Sequence, residues 1–348
     1  MTAAGPVLKV LEIGHYAAGY AGRLAVRAGY DVVRIQQGKP LPAWASATAM
    51  QAYLHAGKRC VASADTALIG RLAEQADIVV CEAWSAGAIR ALGFEDWQQP
   101  CKVSVTPFGL TGPYQNRPAT PATLLAMGGY TQIMGDAERA PLSLPGHYLE
   151  FQSGALAFAA ACAAHLAGDK SPIDIGMLEV VMALSQFTAV RWYCAGEVRQ
   201  RHGSDFWSVA PSDLFRLQDG WVYINIVPNF WDAFVALLEE PALLIDERFQ
   251  TNDLRMANRD ALREIIARAF ARRTRAQVDA RAAECRVPLG VVRSLEDVLH
   301  EPHLTERGFW EPVAVEGKSL RSPGLPYQAA GVPRPKLDVE QPAGEAPW

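Results

Sequence analysis

The sequence has no long block of lysine and arginine, no apolar run of membrane length and no closely spaced pair of cysteines. Each shortage removes a class of function. With a formal net charge of -4, neither a nucleic acid nor an anionic membrane surface is favoured as a partner, and a small molecule is the expected ligand. The most membrane-like run, residues 151–166, is rich in alanine and shorter than the roughly 20 apolar residues a span requires. A buried helix is expected there. The six cysteines, Cys60, Cys81, Cys101, Cys162, Cys194 and Cys285, form neither a CxxC pair nor a Cys/His cluster. They read as reduced thiols of a cytoplasmic protein, with no metal implied. The opening residues, MTAAGPVLKVLEIGHY, lack the basic start and cleavage site of a secretory signal, so none is expected.

What is present is core-forming material: 348 residues, half of them hydrophobic, enough for two domains. Residues 7–13 (VLKVLEI) read as a buried strand, 18–28 as a helix of small residues and 31–35 (DVVRI) as a second strand. A short helical pattern at 68–74 precedes strands at 77–81 (DIVVC) and 102–106 (KVSVT). The fold class is therefore α/β, opening with a Rossmann-like large domain built on a parallel sheet. Its first turn, IGHYAAGYAG, lacks the dinucleotide fingerprint, and Gln36 and Gln37 stand where an acidic residue would hold a ribose. NAD is disfavoured.

A strand-like IDIG at 173–176 leads into an apolar helix, and residues 196–208 read as a linker. The expected division is a large domain over 1–196, a smaller α/β domain over 210–294, and a return segment over 295–348 that packs on the large domain. In the smaller domain a strand at 221–227 precedes helices at 229–238, 258–270 and 275–285 and a strand at 288–292. The final dozen residues of the Pro-rich tail are expected to lie extended over the surface or to be disordered.

Eight stretches lie in order along nearly the whole chain: VLEIGHYAAGYAGRLAVRAGYDVVRI (10–35), AGKRCV (56–61), ADIVVCEAWSAGAIRALGF (76–94), SVTPFGLTGPYQNRP (104–118), SPIDIGMLEVVMAL (171–184), LFRLQDGWVYINI (214–226), DERFQTNDLRMANRDAL (246–262) and VPLGVV (287–292). Together they resemble the class III CoA-transferases of CaiB/BaiF type, a family that includes formyl-CoA transferase, carnitine CoA-transferase and alpha-methylacyl-CoA racemase. The resemblance implies two domains joined by two linkers, and two chains interlocked like rings. It also implies coenzyme A or an acyl-CoA as substrate, a small organic acid as acceptor, and a homodimer or a heteromer with a homologous subunit.

The resemblance places one carboxylate at the chemistry. In the family an aspartate four residues before a glycine attacks the acyl-CoA thioester and then carries CoA; in LPGHYLEFQSG the matching residue is Glu150, four before Gly154. The reaction needs a desolvated carboxylate with N–H donors nearby, and a helix N-terminus offers them. An acidic residue in a first helical turn also contributes about 0.3–1 kcal/mol through the helix dipole alone, so Glu150 has a structural reading as well.

The resemblance also brings Arg34, Lys58, Arg59 and Trp84 to the CoA nucleotide, the cations for its phosphates and the indole for adenine. His15, His147 and Tyr148 are candidates for the acyl pocket. Three positions depart from the family: Ala17 where some transferases have glutamine, and Thr120 and Pro121 where many have an aromatic or histidine followed by an acid. A racemase is disfavoured, because its histidine place is Thr120 and its second-domain glutamate place is Val227. The alternatives left open are a silent CoA-binding subunit of a heteromeric transferase and another reaction on acyl-CoA thioesters.

Overall fold

The computed structural model describes residues 7–38, 48–328 and 337–348. By its internal contacts the chain divides into two compact units, one made of 1–131, 143–198 and 302–348, the other of 132–142 and 199–301. Residues 132–142 cluster with the smaller unit.

The larger unit begins with strands β1 (Lys9–Ile13), β2 (Asp31–Gln36), β3 (Arg59–Ala62), β4 (Ile78–Glu82), β5 (Cys101–Thr106) and β6 (Ile173–Gly176). The smaller unit holds an antiparallel sheet of β7 (Ser212–Arg216), β8 (Trp221–Asn225) and β9 (Leu289–Val291). The chain then returns to the larger unit as a hairpin, β10 (Trp310–Val315) and β11 (Lys318–Pro323), and a short last strand, β12 (Gln341–Pro342).

In the larger unit seven strands pair in the order β12-β3-β2-β1-β4-β5-β6, all parallel. Their apolar runs are nearly continuous because both faces are covered. Val10, Val32, Val80, Val103 and Val105 face helices Tyr16–Arg27 and Tyr148–Ala167, whereas Leu11, Ile13, Val33, Ile35 and Val79 pack with Ile69, Leu72, Ile89 and Phe94. The chain runs from β1 outward to β2 and β3, then crosses back to β4. The C-terminal ends of β1 and β4 therefore frame the point where the order reverses, where open α/β sheets bind ligands.

The alanine-rich run is a helix, Tyr148–Ala167, and its small residues have a packing purpose. Ser153, Gly154, Ala157 and Ala161 are buried along one stripe, and a Cβ on Gly154 would stand 2.3 Å from the carbonyl oxygen of Ala17 in helix Tyr16–Arg27. Bulkier side chains along that stripe would hold the two helices apart.

The tail lies extended along the sheet edge, one of the two states expected of it, and is tied down there. β12 adds a seventh strand beside β3, Arg34 holds Glu340 through two hydrogen bonds of 2.8 and 3.0 Å, and the Trp348 indole donates to Asp31 at 3.1 Å. Backbone pairing and a buried arginine fix a segment whose composition alone reads as surface.

The smaller unit has its own core, in which Phe215, Val222 and Ile224 of the sheet meet Phe234 and Phe270 of helices Trp231–Leu238 and Arg259–Phe270. Arg255 lies inside it, 4.4 Å above the Trp231 ring and donating to the carbonyls of Ala210 and Phe249.

Candidate active site

Glu150 is the third residue of helix Tyr148–Ala167 and is 2% exposed. Its Oε1 lies 3.0 Å from Nδ1 of His147, the helix N-cap residue, and its Oε2 is shut from solvent with no hydrogen-bond partner among the described residues. The carboxylate thus has one oriented oxygen and one unused oxygen. Ser153, one turn on, donates back to the Leu149 carbonyl at 2.8 Å.

The His147 ring stacks on Tyr16 at 3.7 Å with 18° between planes, and Phe151 stacks on Tyr20 at 4.7 Å. These contacts tie the start of the Glu150 helix to the turn after β1. Burial, and then the charges of Glu150 and Glu82, push the Tyr16 phenol above its usual range, which keeps it protonated at neutral pH.

Glu82, the last residue of β4, is the site residue that sequence reading missed. Its Oε2 accepts the backbone N–H groups of His15 and Ala18, each at 3.0 Å, so a carboxylate from the neighbouring strand caps helix Tyr16–Arg27. The close approach depends on Gly14, whose φ is +146° and whose Cβ would stand 2.6 Å from that of Glu82. A signal was available: an acidic residue ends the apolar strand IVVCE at the C-terminal edge of a parallel sheet.

The expected CoA-binding cations are placed differently from surface charges. Lys58 is 1% exposed; its ammonium lies 2.5 Å from Glu12 Oε2 and 3.3 Å from His55 Nδ1, and it donates to the Gly19 carbonyl at 2.8 Å. Gly22 makes room for this pair, since a Cβ there would overlap Glu12 Oε2. Arg34 is buried against Glu340, whereas Arg59, about one-third exposed, pairs with Asp31 and donates to the Pro347 carbonyl. Trp84 is half-buried in the loop after β4.

Among the acyl-pocket candidates, His147 touches Glu150, while His15 and Tyr148 are exposed. Thr120 and Pro121 open a short helix, Pro121–Met127, where Thr120 and Thr123 form a reciprocal capping box. Ala17 is fully buried at the helix contact, where its methyl packs in the core. All six cysteines are free thiols. Among the described residues, no helix is long and apolar enough to cross a membrane, and no group of three or more His, Cys, Asp or Glu is placed to hold a metal ion.

Comparison with known proteins agrees with this architecture. The Succinyl-CoA–D-citramalate CoA-transferase of Chloroflexus aurantiacus is 27% identical over 326 residues, which cover 86% of this chain and 81% of that protein. The Succinate–glutarate CoA-transferase of Agrobacterium fabrum is 24% identical, over 87% of this chain and 83% of its own. Among solved structures, Rv3272 from Mycobacterium tuberculosis superposes with a TM-score of 0.85 at 24% identity, covering 99% of this chain and 98% of its own. A CAIB/BAIF family protein from Brucella suis gives 0.81 at 23% identity, covering 97% and 95%. The profile of CoA-transferase family III matches residues 7–346, and the chain belongs to that family.

Proposed function

We propose that this protein moves CoA from an acyl-CoA thioester to a small organic acid, with Glu150 as the covalent carboxylate. The observation that carries this reading is the buried Glu150 carboxylate, with His147 on Oε1 and no partner on Oε2 among the described residues. In the first step Oε2 attacks the thioester carbonyl, the C–S bond breaks and CoA leaves as thiolate, giving a mixed anhydride. The thiolate then attacks the Glu150 carbonyl carbon, releasing the donor acid and leaving a glutamyl-CoA thioester. The acceptor acid repeats these steps in reverse order. His147 holds the carboxylate in one orientation, so that a single oxygen is presented.

Relatives named for succinyl-CoA with citramalate or for succinate with glutarate make succinyl-CoA and a dicarboxylic acid the first pair to try. Trp84 and Arg59 are the members of the expected nucleotide set with surface left for adenine and a phosphate. Arg34 and Lys58 support the site from within the fold. A second chain is part of this reading: Val190, Trp192 and Tyr193 of helix Gln186–Ala195 are 53–80% exposed, an apolar surface that suits a partner copy or a homologous subunit.

The test is incubation with succinyl-CoA and other acyl-CoA donors, trapping with hydroxylamine or borohydride, and mass spectrometry of the peptide that carries Glu150. Modification there is expected. A protein that binds CoA and never labels at Glu150 across donors overturns the assignment. One relative, 26% identical over 340 residues, is named as the alpha subunit of a Succinyl-CoA–L-malate CoA-transferase, and this favours a second reading as one subunit of a heteromer. Activity of the purified chain alone, abolished by Glu150→Gln, would exclude a silent-subunit role.

A further inference from the structure

Glu82 is a second buried carboxylate at the site, and capping uses only half of it. Its Oε2 takes the His15 and Ala18 N–H groups, whereas its Oε1 is buried with no hydrogen-bond partner among the described residues. A buried charge with an unsatisfied oxygen is destabilising, and a neutral acceptor would cap the helix without it. The turn that Glu82 caps carries His15 and Tyr16; the Tyr16 ring stacks on His147 at 3.7 Å, and His147 Nδ1 lies 3.0 Å from Glu150 Oε1, so the two carboxylates stand at the two ends of one stacked cluster. Burial raises the Glu82 carboxyl above the ordinary range; the Ala18 amide, the His15 charge and the His15 amide pull it back, and the Glu150 charge raises it again.

We propose that the negative charge of Glu82 favours acylation of Glu150. The inference rests on the covalent role given to Glu150 above. While both groups are free carboxylates they repel each other in a desolvated site. When Oε2 of Glu150 bonds to the acyl carbon, the thioester C–S bond breaks and its electron pair leaves with the CoA sulfur. Glu150 becomes neutral, and the negative charge has moved away from Glu82. The repulsion is present in the ground state and relieved in the transition state, which is the condition for faster chemistry. Glu82 acts through Glu150 and is a positioning residue that touches no substrate.

Glu82→Gln separates charge from capping, because the amide oxygen still accepts both N–H groups. The expected result is a fall in kcat of about 10- to 100-fold with KM for acyl-CoA unchanged, and a matching fall in the hydroxylamine-trapped fraction at Glu150. Wild-type kcat should rise with pH as Glu82 loses its proton, a limb absent from the variant. Wild-type labelling at Glu150 with equal kcat, equal trapping and the same pH profile in Glu82→Gln overturns this inference alone. Absence of labelling in the wild type overturns the covalent reading as well. Should Glu82→Gln fail to fold, carbon-13 carboxyl titration of Glu82 in wild type and Glu150→Gln decides the coupling: a lower midpoint in Glu150→Gln supports it, and an unchanged one overturns it.

Discussion

Gly154 rests against the carbonyl of Ala17, with room for no side chain: an added Cβ would lie 2.3 Å from that oxygen and 3.2 Å from the Tyr20 Cβ. The glycine four residues after Glu150 therefore sets how near the carboxylate comes to the turn capped by Glu82. Its value is steric, since its backbone is helical and strain-free.

Gly154→Ala should force the two helices apart, because a backbone carbonyl cannot swing away as a long side chain does. Overpacking of this kind costs about 1–3 kcal/mol. A shift of about 1 Å at Glu150 also lowers turnover on the order of 100-fold. Thermal unfolding and steady-state kinetics measure the two effects, and an unchanged melting temperature with full activity would sink the packing argument.

The Lys58–Glu12 pair makes a prediction about stability rather than affinity. Both side chains are fully buried, so Lys58→Met leaves the Glu12 carboxyl without its partner, a change that costs about 3–5 kcal/mol. Replacing both, as Lys58→Met with Glu12→Leu, should recover much of that loss. Urea unfolding reads the cycle. Loss of CoA affinity in Lys58→Met at wild-type stability would instead place Lys58 at the phosphates.

His55, buried beside Lys58, gives the fold an acid-sensitive component. Burial first, and then the charges of Lys58 and Arg34, hold its imidazole well below the usual histidine range. The sign follows from linkage: below about pH 6.5 the unfolded chain takes up a proton that the folded protein refuses, so stability falls as pH falls. One such proton changes stability by at most about 1.4 kcal/mol per pH unit. His55→Gln should flatten the decline between about pH 6.5 and 5 in denaturant titrations, and an equal slope in both proteins would remove His55 as the cause.

The large unit was legible where strands are buried on both faces, since runs such as VLKVLEI and DIVVC can hardly be anything but inner strands of a parallel sheet. The Glu150 position was marked by its resemblance and by the glycine four residues on, whose close packing against Ala17 the structure shows. Glu82 was not, because its role depends on β4 lying beside β1, a pairing invisible in local pattern. The resemblance brings Lys58 to the CoA phosphates, but its buried pairing was not legible, because Glu12 lies 46 residues away inside an apolar strand. β12 escaped notice for a similar reason: two residues in a Pro-rich tail carry no strand period, and an existing sheet edge supplies the order.

Glu150→Asp tests whether the site is built for glutamate. The 3.0 Å contact to His147 fits a side chain of this length, and removing a methylene draws the oxygens back by about 1 Å. If the chain is an active transferase adjusted to glutamate, Glu150→Asp should lose on the order of 100-fold in kcat and Glu150→Gln should fall to background, both at nearly wild-type stability. His147→Asn should show a smaller loss, because the carboxylate stays buried while its orientation loosens. The opposite ranking is equally informative: if aspartate turns over faster than glutamate, the wild-type site is a transferase site held silent by its extra methylene, and the chain is the inactive member of a heteromer.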